Sequence, residues 1–528
     1  MNKKLLTTLL CGFSIIQFAQ AGMVDTMTWQ AKNIKENYKN KYFCNISVAS
    51  STCKQNIKNM DELSGINIDN FGDDNVKDVT LDKITYQTTN SFPATGEVTS
   101  NVSGLVMLPN TDKPKGVILY YHPTAFNNAG IPSNFKDDNI TTQMFDTIYA
   151  RIYALNGYIV VAPDYIGQGD DYASTHPYIF YPKQTVNSAV DLLNSSTDII
   201  KKKYSLDNNK KLNVYSVGYS EGGAYSIWTA KCLEDKTNCP QVSKLDNLYS
   251  YKAASGLAGA YDLSNTTLNF IKDNNDAKEY KLHSKLVTSM LKPALLADAF
   301  MSYLHYSNTD KTLSTKDIDS GFFNMNCHFG LQFLCNLHGN HYTLEELFKQ
   351  KEASDIKFVS SIYYSALYRK YPNQQSASHY GLPTGNNSMY DLFNEKIFSN
   401  PELLQTMKDG DIVGFGKETK TPLFLFSLKE DSVVTALNYD RFMNQANKNV
   451  SNYTLENSQI TTSSINWIPF VKFDISDVDH ITGEIYANIF AYKFIDNLNK
   501  KWYLIISYCH TALLTSAGFS TSGSGIDF

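Results

Sequence analysis

NVYSVGYSEGGAYSIW, residues 213–228, changes character part-way through. A short apolar run comes first, then Gly218-Tyr219-Ser220-Glu221-Gly222-Gly223, then a segment with helical character. A strand that passes into a helix through so tight a turn needs unusual backbone angles and close strand–helix contact. Small residues at 218 and 222 therefore have a physical reason. The start of the helix also directs backbone N–H groups and positive partial charge at any negative charge developing beside Ser220. Gly-x-Ser-x-Gly alone is weak evidence, because chance supplies about 0.2 matches in a chain this long. Its place between an apolar strand and a helix makes Ser220 a candidate nucleophile. The alternative is an ordinary glycine-rich turn.

Strands and helices alternate around this turn. TLDKITYQTT and GEVTSNVSGLVMLPN alternate apolar and polar residues and predict two antiparallel strands. KGVILYYHPTAF is almost continuously apolar, as expected of a strand buried on both faces of a parallel sheet. Helix 141–155, strand 157–165, helix 184–202, strand 212–217, the Ser220 turn with a helix to about 232, and strand 251–259 follow. This order predicts an α/β fold with right-handed crossovers. Residues 264–418 read as mostly helical; strand character returns at TPLFLFSL (421–428) and INWIPFVKFD (465–474), and a final helix follows His480. The expected layout is a signal peptide (1–21), an N-terminal extension (22–78), and a core in two parts (79–263 and 419–498). A helical cap insertion (264–418) separates those parts, and an atypical tail (499–528) ends the chain. The extension reads as polar and irregular.

A serine hydroxyl needs a base, and the base needs an acid to orient it. Loops at the ends of later strands are where such partners would be carried. Asp431 follows TPLFLFSL, and His480 follows INWIPFVKFD. Asp431 could instead cap the next helix. Glu430 is adjacent, and Asp262 after SGLAGAY is a second candidate acid. His480 could be an ordinary loop histidine. Two backbone N–H groups should receive the negative oxygen: that of Glu221, after the nucleophile, and one from the loop after the strand ending at Tyr121. Pro123 has no N–H, which leaves Thr124 first and Ala125 next. His122 reads as a loop-shaping residue.

Composition bounds the rest. With 42% hydrophobic and 19% charged residues, the 528-residue chain can bury a large core. A net charge of −5 without a long basic run argues against nucleic acid as a partner. Lys3 and Lys4, the apolar stretch 5–18 and Ala19-Gln20-Ala21 predict a signal peptide cleaved after Ala21, hence export to a secreted or periplasmic location. The stretch is too short for a stable transmembrane anchor. Six of the seven remaining cysteines pair closely in sequence, Cys44/Cys53, Cys232/Cys239 and Cys327/Cys335, which predicts three disulfides in an oxidising compartment and leaves Cys509 over. Zinc is the alternative.

YYHPTAF, VVAPDYIGQGDDYASTHPY, GYSEGG, ASGLAGAYDLS, SLKEDSVV and DVDH together resemble the α/β-hydrolase superfamily, in particular its exported lipases and esterases with a helical cap. The resemblance spans about residues 80–497. It implies a mostly parallel central sheet flanked by helices. It also implies Ser220 as nucleophile, His480 as base, Asp431 as acid, and the Glu221 and Thr124 amides as an oxyanion hole. Many relatives have His-Gly before the oxyanion residue, where this chain has His122-Pro123. The implied activity is hydrolysis of a small-molecule or lipid carboxylic ester through an acyl-enzyme, with no metal or organic cofactor. Apolar cap residues such as Phe270, Met290, Leu291, Phe300, Tyr303, Phe322 and Phe323 suit an apolar ester, or form the cap's own core. A prolyl-oligopeptidase-like serine peptidase and a non-catalytic binding protein of the same fold are the competing readings. The first lacks room for a propeller, and the second usually lacks a triad member.

Overall fold

A computed structural model describes residues 22–38, 58, 61–62, 64, 72–125, 130–135, 149–206, 211–272, 295–317, 394–429, 431, 433–456, 463–468, 471–475, 480 and 483–516. The alternating segments form β2 (Asp78–Phe92) and β3 (Gly96–Pro109), and β1 (Gly22–Gln30) pairs antiparallel with β2 as β2 does with β3. The continuous apolar runs form β4 (Val117–Tyr121), β5 (Ile159–Pro163), β6 (Leu212–Tyr219), β7 (Tyr249–Leu257) and β8 (Leu423–Leu428), with β9 (Val450–Leu455) at the far edge. These pair in parallel, and β5 joins them to β3 antiparallel. The sheet runs β1-β2-β3-β5-β4-β6-β7-β8-β9. The expected α/β architecture with a mostly parallel sheet is what forms.

Strand β4 shows why both faces must be covered. Ile118 and Tyr120 enter one core, packed with α2 (Ala150–Leu155, numbered after α1, Ala31–Tyr38). Val117, Leu119 and Tyr121 enter the opposite core, with α3 (Pro182–Ser195) and α4 (Thr197–Tyr204). This is the period-two alternation of a strand between two helical layers. On that second face also lies α5 (Glu221–Glu234), the helix that leaves the Ser220 turn. Later helices are α6 (Leu268–Lys272), α7 (295–306), α8 (Pro401–Asp409), α9 (Phe415–Glu418), α10 (Leu437–Met443) and α11 (Gly483–Ser516). Helix α11 closes the first core through Ile485, Ala487, Ile489, Ala491 and Ile495.

Several expectations change. INWIPFVKFD, expected as one strand, is an antiparallel pair apart from the main sheet, β10 (Ser463–Ile468) and β11 (Val471–Ile475). Pro469 interrupts the run and cannot donate to a ladder. The last sheet strand is β9, VSNYTL, whose polar residues suit a half-exposed edge and conceal it from an apolar-run search. Helix 184–202 is two helices, α3 and α4, broken where Ser196 Oγ donates back to the Leu192 carbonyl at 2.7 Å. The irregular extension contains β1 and α1, and the Arg151 guanidinium lies 3.5 Å from the centre of the Trp29 ring. The tail continues α11 as far as Ser516.

Of the predicted disulfides, Cys232–Cys239 is formed. Cys44, Cys53, Cys327 and Cys335, the Cys509 side chain, the signal peptide and most of the expected cap (273–294 and 318–393) lie outside the described residues. So do Met290, Leu291, Phe322 and Phe323. Phe300 and Tyr303 belong to a buried cluster with Phe92, Tyr178, Tyr181 and Tyr306, so they serve as core here. Among the described residues no helix is long and apolar enough to cross a membrane.

Candidate active site

Ser220 directly follows β6 with φ 55° and ψ −119°, a conformation that costs a side-chain-bearing residue on the order of 1–3 kcal/mol. Neighbours hold it there. Its N–H donates to the Leu257 carbonyl at 2.8 Å, and its carbonyl accepts from the Gly223 N–H at 2.9 Å. A Cβ on Gly218 would collide with the Gly222 carbonyl, and one on Gly222 with the Tyr121 carbonyl. The two glycines are therefore required by close approach of backbones, and the strained turn lifts the Ser220 hydroxyl off the sheet.

His480 sits in the turn before α11, and its Nε2 lies 2.8 Å from Ser220 Oγ. Its Nδ1 lies 2.6 Å from Asp431 Oδ2. Asp431 follows β8, and its other oxygen accepts the N–H groups of Val433 at 2.9 Å and Val434 at 2.8 Å. The carboxylate is thus fixed by backbone before it meets the imidazole. Tyr219 OH donates to the His480 carbonyl at 2.6 Å and ties the histidine turn to the serine strand. All three side chains are buried. With Asp431 accepting from Nδ1–H, Nε2 is left free to accept the serine proton. The β10–β11 pair, not a sheet strand, precedes His480 in the chain. Asp262 is engaged elsewhere: it accepts from Thr266 Oγ1 at 2.5 Å and lies 3.4 Å from Arg441 Nε. Glu430 lies outside the described residues.

Thr124 and Glu221 flank this relay in sequence, Thr124 just past β4 and Glu221 directly after Ser220. Their side chains point into a buried polar cluster. Thr124 Oγ1 is 2.9 Å from Tyr178 OH. Glu221 Oε1 accepts from Tyr225 OH at 2.7 Å and lies 2.8 Å from His176 Nε2. Burial by itself would raise the Glu221 pKa. The charge and hydrogen bond of His176, the Tyr225 hydroxyl and His122 outweigh it and hold the carboxyl below its usual range. His122 is a spacer in the loop: its Nδ1 is 2.6 Å from the Pro123 carbonyl, and burial pushes its pKa down to about 4. His176 and Tyr178 escaped the sequence reading, although THPY (175–178) lies in a stretch that carries the family resemblance. Nothing in local pattern distinguishes a loop histidine that meets a glutamate 45 residues later.

No family model and no curated protein matches the sequence. Solved structures do match. A crystal structure of a proposed hydrolase from Legionella pneumophila aligns over 89% of this chain and 97% of that one, at 16% identity and a TM-score of 0.52. In that alignment and in the strand order of β2 to β9, with β3 the antiparallel member, one architecture is evident. The chain has the α/β-hydrolase fold. A ligand-bound form of the rice cell wall degrading esterase LipA from Xanthomonas oryzae aligns over 83% of this chain and 90% of that one, at 17% identity and TM-score 0.49. Candida antarctica lipase A in its closed state covers 83% and 77%, at 12% identity and TM-score 0.41. β1 lies at the outer edge of the sheet, beyond β2.

Proposed function

We propose that the protein is an exported serine hydrolase that cleaves carboxylic esters, with Ser220, His480 and Asp431 as its triad. The observation that carries this reading is the continuous relay from Asp431 Oδ2 through His480 to Ser220 Oγ, at 2.6 and 2.8 Å. Ser220 Oγ bonds to the ester carbonyl carbon as His480 Nε2 takes its proton. The carbonyl oxygen becomes an oxyanion and is met by the Glu221 and Thr124 amides. Collapse breaks the bond to the alcohol, which leaves with the proton from His480. Water then attacks the acyl-enzyme, giving its proton to His480, and the acid departs as Ser220 regains its hydrogen. Asp431 holds the imidazolium in orientation throughout.

The Legionella protein of the same fold is described as a proposed hydrolase, which agrees with this class. The signal-like N-terminus and the Cys232–Cys239 disulfide support an oxidising, extracytoplasmic location. A fluorophosphonate probe tests the reading directly. The mature wild type should label and should hydrolyse p-nitrophenyl esters. Ser220→Ala should lose labelling and at least about 10⁴-fold in kcat/KM. Failure of the folded wild type to label, or preference for aminoacyl-prolyl amides over every ester tried, would overturn it. Rates across ester chain lengths would then define the acyl group.

A further inference from the structure

Two side chains on the loop after β5 reach the side chains of the two residues whose amides are assigned to the oxyanion. His176 Nε2 lies 2.8 Å from Glu221 Oε1, and Tyr178 OH lies 2.9 Å from Thr124 Oγ1. The two rings meet nearly edge to face, their centres 5.6 Å apart. His176, Tyr178, Thr124 and Glu221 are all buried. Glu221 Oε2 has no hydrogen-bond partner among the described residues, so this carboxylate depends on His176 and Tyr225. Its position is chemically awkward. A buried negative charge beside the nucleophile opposes negative charge growing on the substrate oxygen, and low dielectric magnifies the opposition.

His176 answers that charge. Its Nδ1 lies 2.9 Å from the Ile166 carbonyl, and its Nε2 faces the carboxylate. Both partners are acceptors, and an imidazole that donates from both nitrogens satisfies them and sets a positive charge against the Glu221 carboxylate. The Tyr165 ring lies parallel to His176 with centres 5.6 Å apart, and His122 also stacks on Tyr165, centres 4.0 Å apart. Water has no access to this stack, so the compensation is not shared with solvent.

We propose that His176 is a positioning residue for the hydrolysis: it neutralises the Glu221 carboxylate and, together with Tyr178, holds the Glu221 and Thr124 amides at the spacing the oxyanion requires. This rests on the serine-hydrolase reading above.

The test is a charge cycle in the full mature chain, using His176→Gln, Glu221→Gln and the double variant on a p-nitrophenyl ester, with thermal unfolding recorded for each. His176→Gln should lower kcat roughly 10²-fold, the scale of losing an oxyanion donor, while KM stays within about threefold. Affinity for an aryl trifluoromethyl ketone, whose adduct with Ser220 carries the same oxyanion, should fall by the same factor. Adding Glu221→Gln removes the uncompensated charge and should recover at least about tenfold in kcat. A double variant no better than His176→Gln, or a ketone affinity that does not follow kcat, would overturn the role. Should His176→Gln not fold, the double variant decides: kcat within about tenfold of wild type supports the role, and a deeper loss overturns it. An inactive, unlabelled wild type would instead overturn the hydrolase reading and this inference with it. An active wild type matched within about twofold by His176→Gln would overturn the positioning role alone.

Discussion

Ser220 at φ 55° and His122 in its buried stack show how single residues near the site carry costs that their neighbours offset. The Ser220 strain is held by the Leu257 carbonyl and by two glycines whose Cβ positions are occupied by other backbone. His122 has a pH consequence. In the unfolded chain a histidine titrates near 6.5, whereas burial lowers His122 to about 4 in the folded protein. Between those values the unfolded state binds the extra proton, so this group costs stability as pH falls from 6.5 to 4. The shift corresponds to about 3 kcal/mol. Denaturant unfolding of wild type and His122→Gln should therefore show the wild type's relative stability falling by about that amount across this window. A constant difference would place the His122 pKa elsewhere.

At the scale of elements, the turn, loops and strands that carry the site differ in how plainly they are written. The parallel strands β4 to β8 are apolar enough to be read directly, because a strand covered on both faces cannot show polar residues. β9 and β1 lie at edges, tolerate polar side chains, and so resemble loops in sequence. β1 is secured by pairing with β2 and by Trp29 against the Arg151 guanidinium. Trp29→Ala removes both the cation–π contact and part of the edge packing. It should lower the unfolding free energy by about 1–2 kcal/mol, measured by denaturant titration, while kcat/KM on esters stays unchanged. A larger loss with loss of activity would mean that β1 supports the site itself.

Among the described residues, the two faces of the sheet are packed by separate clusters, one with α2 and α11 and the other with α3, α4 and α5. The Cys232–Cys239 bridge closes a short loop at the end of α5, remote in sequence from every site residue except the turn that starts the same helix. Replacing both cysteines by alanine should cost about 2 kcal/mol through the lost loop constraint. Thermal unfolding should register this, and Ser220 should still label at the wild-type rate. A slowed labelling rate would mean that the bridge transmits to the nucleophile turn along α5.

The sequence by itself determined the α/β alternation and the glycine-framed Ser220 turn. It also determined the order in which Ser220, Asp431 and His480 occur. Each is a local matter, set by side-chain periodicity and by backbone angles within a few residues. INWIPFVKFD reads as a single strand, because a pair of short antiparallel strands and one apolar strand share composition over ten residues. Only the tertiary structure decided the distances within the relay: the register of β6, β7 and β8 sets Asp431 near Ser220, and His480, 260 positions from Ser220, is held there by Tyr219 and the start of α11. The same holds for the His176–Glu221 pair. Its charges matter because both groups are buried together, and burial is a property of the packed chain.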